Sequence, residues 1–188
     1  LALRDFVWLN TAREFSQLGA SVYPDIIDTW EGYAPHFYTS GDLTAAQSDR
    51  VLLFRLVDGQ YTARLIGERA VPSEETLADF GGVVRLENVV VTDENGMLRI
   101  GLFWRRLNTD PVPYVVFTHL LCNDAIIDQS DGAPIANLYE FAQWQVGETW
   151  VDYRYLNTHA SPMDCLALRV GLYNRDNNNR ATAIGADG

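Results

Sequence analysis

"VVRLENVVVTDENGMLRIGLFWRRL", residues 83–107, contains two strand-forming runs divided by the turn segment Thr92–Gly96. β-branched and aromatic residues dominate both runs, and the polar segment between them joins two neighbouring strands as a hairpin. In the second run Leu98, Ile100, Leu102 and Trp104 alternate with Arg99 and Arg105. Successive side chains of a strand point to opposite faces, so this strand buries one face and wets the other. The same texture continues to the C-terminus. "YVVFTHLL" (114–121) and "AIIDQ" (125–129) precede a long polar loop, and "ETWVDYRYL" (148–156), "CLALRVGLY" (165–173) and "ATAIG" (181–185) follow it. Short strands at this spacing, divided by Gly, Asn, Asp and Pro, predict a mainly β fold: an antiparallel, jelly-roll-like β-sandwich over residues 81–188. "NRDNNNR" (174–180) reads as a turn of residues that tolerate the left-handed conformation.

Upstream the texture differs. "LALRDFVWL" (1–9) reads as a strand. Thr11 and Glu14 form a capping box for a short amphipathic helix that stops at Gly19, with Phe15 and Leu18 on one face. "YPDIIDTWEGY" (23–33) reads as a second short helix with Pro24 in its first turn. "RVLLFRLVDGQYTARLIG" (50–67) is a hairpin about Asp58-Gly59, and residues 70–80 are a connector. Residues 1–80 are therefore expected to be a small α/β addition of one strand, two short helices and a hairpin.

A length of 188 residues suits one domain with such an appendage. The net charge is −11 and all fourteen basic residues are Arg. With no basic patch, nucleic acid and anionic membrane surfaces are repelled. Without Lys there is no Schiff-base chemistry and no Walker-type phosphate loop. No run is long and apolar enough to span a bilayer. The chain opens on Leu1, which reads as a piece of a longer protein. Two cysteines, Cys122 and Cys165, stand far from the three scattered His, so no zinc site is expected. The pair forms a disulfide if the domain faces an oxidising compartment; otherwise both are small hydrophobes.

Four residues are candidates for ligand contact. His119 shares a strand face with Val115, Phe117 and Leu121 and points inward, so it needs a hydrogen-bond partner, which Asp131 supplies by proximity along the chain. Asp131 with Asp128 also has the composition of a glycosidase carboxylate pair. The dyad lacks a nucleophile, since Ser130 sits in no nucleophile elbow. Asp93, Asn95 and Gly96 resemble the start of a calcium loop with no following ligand, and the hairpin turn explains them. Trp144 stands before the Val146-Gly147 turn, and Tyr153 and Tyr155 lie on the strand face opposite Trp150. Aromatics beside Asp and Asn pack a core, and they also hold sugar rings; packing is the favoured role for Trp144. No catalytic residue, metal ligand or cofactor is assigned.

Taken in order, Phe80-Gly81, "LFWRRL" (102–107), "YVVFTHL" (114–120), "QSDGAP" (129–134), Trp144 with "VGETWVD" (146–152) and "LRVGLYNRDNNNR" (168–180) form a familiar series. It resembles the C-terminal extracytoplasmic region of bacterial membrane proteins related to the dolichyl-phosphate-mannose-type (PMT-like) glycosyltransferases. Residues 80–188 carry the likeness, and "RDFVWLNTAREFSQLG" (4–19), "YAPHFYTSGD" (33–42) and "DRVLLFRLVDGQYTARLI" (49–66) match in shape more than in residues. The three Asn before Arg180 depart from the Thr-Gly turn usual there. In that family the catalytic carboxylates lie in the membrane half. The resemblance thus implies a non-catalytic accessory domain on the extracytoplasmic side, with the membrane part of the parent chain and a glycan as partners. The alternatives are a stand-alone hydrolase using Asp128, Asp131 and His119, and a purely structural tail.

Overall fold

The structure, a computed structural model, describes residues 5–10, 50–57, 60–111, 113–137 and 139–185, with side chains from Leu65 onward. The two short helices expected within residues 11–33 and the Asp58-Gly59 turn lie outside the described residues. The chain divides into two compact units, Leu1–Arg69 and Ala70–Gly188.

In the first unit three antiparallel strands follow one another: β1 (Asp5–Asn10), β2 (Arg50–Val57) and β3 (Gln60–Ala70). Trp8 stands opposite Leu52, and Leu53 opposite Arg64, with a bulge at Val51/Leu52.

The second unit is a β-sandwich. Its strands are β4 (Ala78–Phe80), β5 (Val84–Glu94), β6 (Met97–Arg106), β7 (Tyr114–Cys122), β8 (Ala125–Gly132), β9 (Thr149–Asn157), β10 (Leu166–Asn174) and β11 (Ala183–Gly185). One sheet runs β9-β6-β5-β4-β11 and the other β10-β7-β8, all pairs antiparallel. The opening hairpin is β5–β6. Asn95 and Gly96 both take positive φ (58° and 85°), as a two-residue hairpin turn requires, and the Asp93 carboxylate accepts the Gly96 N–H at 2.8 Å. Asn123 and Asp124, also at positive φ, turn β7 into β8 in the same way.

Alternation holds along β6: Leu98, Ile100, Leu102 and Trp104 are all buried. They face Val116, Thr118 and Leu120 of β7, and Trp150, Asp152, Arg154 and Leu156 of β9 continue this inner layer. The polar loop expected after Gln129 is instead the rest of β8: Ser130, Asp131 and Gly132 pair with Thr118, Phe117 and Val116. An edge strand with one wet face accepts such residues, so composition alone misplaces its end. The segment before β4 also belongs to the sandwich, since Leu77 donates its N–H to the Leu86 carbonyl at 2.9 Å and Ser73 donates to Glu87 at 3.0 Å.

Cys122 and Cys165 form a disulfide across 43 residues, with Cα atoms 4.7 Å apart. It joins the end of β7 to the start of β10, where Cys122 already pairs with Leu166. A closed loop of this length stabilises by roughly 4 kcal/mol in the chain-entropy description. The double substitution Cys122→Ser, Cys165→Ser should lower unfolding stability by about 2–4 kcal/mol. Guanidinium denaturation measures it, and an unchanged midpoint would refute the role.

Candidate functional site

His119 lies on β7 between Arg169 of β10 and Gln129 of β8. Its ring centroid is 5.1 Å from that of Phe117, and its Nε2 lies 3.3 Å from Asp131 Oδ1 and 3.4 Å from Oδ2. The Thr118 N–H donates to the same carboxylate at 3.4 Å. The tie read from the sequence is present, though long, but His119 does not point inward: the inner row of β7 is Val116, Thr118 and Leu120, and His119 lies on the other row with Phe117. The His119 side chain is 12% exposed and that of Asp131 32%, so water reaches the carboxylate. Phe117 also carries Arg180 over its ring, the guanidinium carbon standing 5.2 Å from the centroid. Gly171 makes room for that ring: a Cβ there would sit 2.3 Å from the Phe117 Cζ.

Asp128 does not join this pair. In the β7–β8 register Asp128 opposes Leu120 on the inner row, while Asp131 opposes Phe117 on the outer one. An interval of three residues along a strand places two side chains on opposite faces. Asp128 is committed to backbone, accepting the Asn157 N–H at 2.6 Å and the Gln129 N–H at 2.9 Å, which ties β8 to the end of β9. The two carboxylates therefore do not converge on one bond as a glycosidase pair must. Among the described residues no group of three His, Cys, Asp or Glu is placed to hold a metal.

The polar centre of the unit is elsewhere. After Gly132 the chain turns through Pro134–Asn137, where Ile135, Ala136 and Asn137 have φ of 52°, 52° and 66°. Three successive residues with side chains in the left-handed region, one of them β-branched, are strained by roughly 1–3 kcal/mol each. Asp152 and Arg154, neighbours on the inner face of β9, hold this turn. Asp152 Oδ1 accepts the Ile135 N–H at 3.0 Å. Arg154 donates through Nη2 to the Gly132 and Ala133 carbonyls at 3.2 and 3.1 Å. The pair closes on itself, Arg154 Nε and Nη2 reaching Asp152 Oδ2 at 2.9 and 2.7 Å. Burial pushes the Asp152 carboxyl up; the charge of Arg154, its hydrogen bonds and the Ile135 N–H pull against that. Asn137 finishes the turn by accepting the Ala133 N–H at 2.6 Å, in space that a side chain at Gly132 would fill.

Trp144 is also inside. At 4% exposure its ring meets Tyr139, Phe141 and Trp150, with centroids 5.7, 5.0 and 6.3 Å away, and its Nε1 donates to the Tyr139 carbonyl at 3.0 Å. Trp144 has the packing role favoured from the sequence, and its candidacy for ligand contact is corrected: the ring is enclosed by other rings. Glu148 organises the cluster, accepting from Trp150 Nε1 at 2.8 Å, the Tyr139 hydroxyl at 3.1 Å and the Gln145 N–H at 2.7 Å. Tyr155 lies on the outer face of β9 and is half-buried, opposite Arg99 of β6. Next to it Tyr153 stands opposite Gly101, and the Arg99 guanidinium carbon lies 5.7 Å from the Tyr153 ring centroid. Of the four sequence candidates, the structure brings His119 and Asp131 together, and it leaves Trp144 and Tyr155 apart from them.

Sequence reasoning passed over Asp152, Arg154 and Glu148. The signal was available: in "TWVDYRYL" Asp152 and Arg154 fall on the Trp150 and Leu156 positions of the alternation, where only a paired charge can be buried. No protein-family model, no curated protein and no solved structure matches this chain.

Two substitutions separate the structural carboxylate from the accessible one. Asp152→Ala leaves Arg154 buried without its counter-charge and should cost about 3–5 kcal/mol. Adding Arg154→Met should restore part of that loss, so the double variant is less destabilised than the sum; additivity in a denaturation cycle would refute the coupling. Asp131→Ala removes a long, partly wet contact and should cost no more than about 1 kcal/mol. A larger loss would show that His119 depends on it.

Proposed function

We propose that this chain is a non-catalytic extracytoplasmic module of a membrane glycosyltransferase-like protein, which recognises a glycan or partner weakly. One observation carries the reading: three of the acidic side chains in and beside the motif-bearing stretches are committed to the fold. Asp128, Glu148 and Asp152 each accept backbone or indole N–H groups, whereas Asp131 and Asp176, the latter in the terminal turn, are exposed and stand on different segments. An acid/base or nucleophilic role needs a carboxylate that can exchange partners with substrate. The Cys122–Cys165 disulfide supports an oxidising compartment, in keeping with an extracytoplasmic location.

With Trp144 in the core, Tyr155, half-buried on the outer face of β9 opposite Arg99, is the aromatic that remains of the candidate residues. A pyranose offers an apolar ring face and a rim of hydroxyls, which an aromatic ring and a planar guanidinium complement. A single stacked ring gives little affinity, so dissociation constants on the order of micromolar to millimolar are expected.

The test pairs an NMR titration of the isotope-labelled chain with neutral mono- and oligosaccharides and a broad glycosidase and esterase screen. Saturable shifts along β6 and β9, weakened in Tyr155→Ala and unaccompanied by hydrolysis, are the expected result. Hydrolysis abolished by Asp131→Asn would overturn the non-catalytic reading in favour of a hydrolase. Silence in both assays would reduce the domain to a structural tail.

A further inference from the structure

Interior charges in this sandwich have opposite charges beside them, with one exception. Asp152 meets Arg154, and Glu87, at the β5 bulge, has the Arg105 guanidinium 3.5 Å away. Arg106, the last residue of β6, is 1% exposed, yet among the described residues no carboxylate lies within ion-pair distance of it. Its Nη2 donates to the backbone carbonyl of Asp110, while Nε and Nη1 are buried without an acceptor. A guanidinium does not lose its proton at neutral pH; burial disfavours its charge, and the carboxylate of Asp110, beyond ion-pair distance, offsets that from further off. Nor is the residue loosely placed. Its N–H donates to the Glu148 carbonyl at 2.9 Å, its carbonyl accepts from Gly147 at 2.8 Å, and the next N–H, of Leu107, reaches Val83 at 2.9 Å. The Asp110 loop is fixed as well, by Asn108, which accepts the Asp110 N–H and donates to Gly82, both at 2.8 Å.

Two buried donors without acceptors, on a cation with no carboxylate within ion-pair distance, are the half of a site that a protein can supply. We propose that Arg106 anchors a small oxyanion, of the carboxylate or phosphate class, at this end of the sandwich through Nε–H and Nη1–H. The anion supplies the missing acceptors and a directly paired charge together, whereas a water molecule supplies only acceptors. The chain's net charge of −11 makes diffuse anion binding unfavourable, so a saturable anion response marks a local site. The proposal stands apart from the glycan reading: the Arg106 donors are on the inner face, whereas Tyr153 and Tyr155 are on the outer one.

The experiment titrates the whole chain with acetate and with inorganic phosphate, against sodium chloride of equal ionic strength. It follows the Arg106 Nε–H resonance, the indole N–H of Trp104 (buried, without an acceptor, two residues away on the same strand) and the thermal midpoint. The expected result is a saturable shift of the Arg106 signal and a raised midpoint with acetate or phosphate, and neither with chloride. Arg106→Lys, which keeps the charge and loses the Nε donor, should weaken the response at least tenfold. Asp110→Asn, which keeps the carbonyl contact, should preserve it. Absence of a saturable shift in the wild-type chain overturns the proposal, and so does a response that survives in Arg106→Gln. Loss of the response in Asp110→Asn, with a lowered midpoint in chloride alone, would assign the counter-charge to Asp110 and also overturn it. Should the Arg106 variants fail to fold, the wild-type titration and Asp110→Asn still decide.

Discussion

The sandwich depends on the buried pair Asp152–Arg154. Most of the unit is ordinary antiparallel pairing, which needs only alternation and two-residue turns. The passage from β8 toward β9 is different. The chain leaves the second sheet, crosses the end of the core and presents the buried Ile135 in a backbone conformation that a β-branched residue avoids. Something must stabilise that turn more than an extended alternative. Asp152 and Arg154 do so because they offer what the turn lacks: an acceptor for the Ile135 N–H and a donor for the Gly132 and Ala133 carbonyls. A hydrophobic pair would fill the same volume and leave the Ile135 N–H without its acceptor, at about 1–3 kcal/mol, and the Gly132 and Ala133 carbonyls without the Arg154 donor, Ala133 keeping only the Asn137 N–H. An ion pair is usually a poor stabiliser of a core, but here its hydrogen bonds to backbone carry the gain.

Glu148 repeats this logic a few residues upstream. Trp144, Trp150, Tyr139 and Phe141 bury large rings, and three of them bring polar atoms inside. A single carboxylate accepts the Trp150 indole and the Tyr139 hydroxyl and also closes the turn into β9 through Gln145. The stretch "VGETWVDYR" thus holds three charged residues whose partners lie within the fold. The "QSDGAP" stretch is their structural counterpart, because its Gly132 and Ala133 carbonyls are what Arg154 binds. Two segments that look like a dispersed active site in one dimension are two halves of one structural joint in three.

That contrast explains what was legible beforehand. Alternation along Leu98–Trp104 identifies the inner face because burial follows the two-residue period directly. The Asn95-Gly96 turn is legible because only a few residues accept positive φ. The end of β8 was not legible, since Ser130 and Asp131 are loop-like by composition and only the pairing partner makes them strand. Trp144 was ambiguous because an aromatic beside a turn has the same sequence signature whether its face meets solvent or another ring. Asp128 and Asp131 were misleading as a pair for a geometric reason: three residues apart is close in the chain, and it means opposite faces on a strand. The disulfide could be weighed but not chosen, because two cysteines 43 residues apart meet only if the strands between them fold back in this register.

A carboxylate that works on a ligand differs from one that works on the fold in how far its oxygens are already satisfied and how readily water reaches them. Asp152 is fully buried and bonded through both oxygens, and Asp128 is bonded through both to backbone N–H groups. Neither can turn toward a substrate without releasing a strand end or the left-handed turn. Asp131 sits at the other limit, with long contacts to His119 and the Thr118 N–H and about a third of its side chain exposed. It is the acidic residue of the opening candidates whose partners can be exchanged at small cost. Arg106 is the inverse case among the cations, with a buried charge and donors still unfilled. Both stand within motif stretches, Asp131 in "QSDGAP" on the edge strand β8 and Arg106 in "LFWRRL" at the end of β6. The polar groups at the centre, Asp152, Arg154 and Glu148, are consumed by the fold, whereas Asp131 and Arg106 stand singly on different strands.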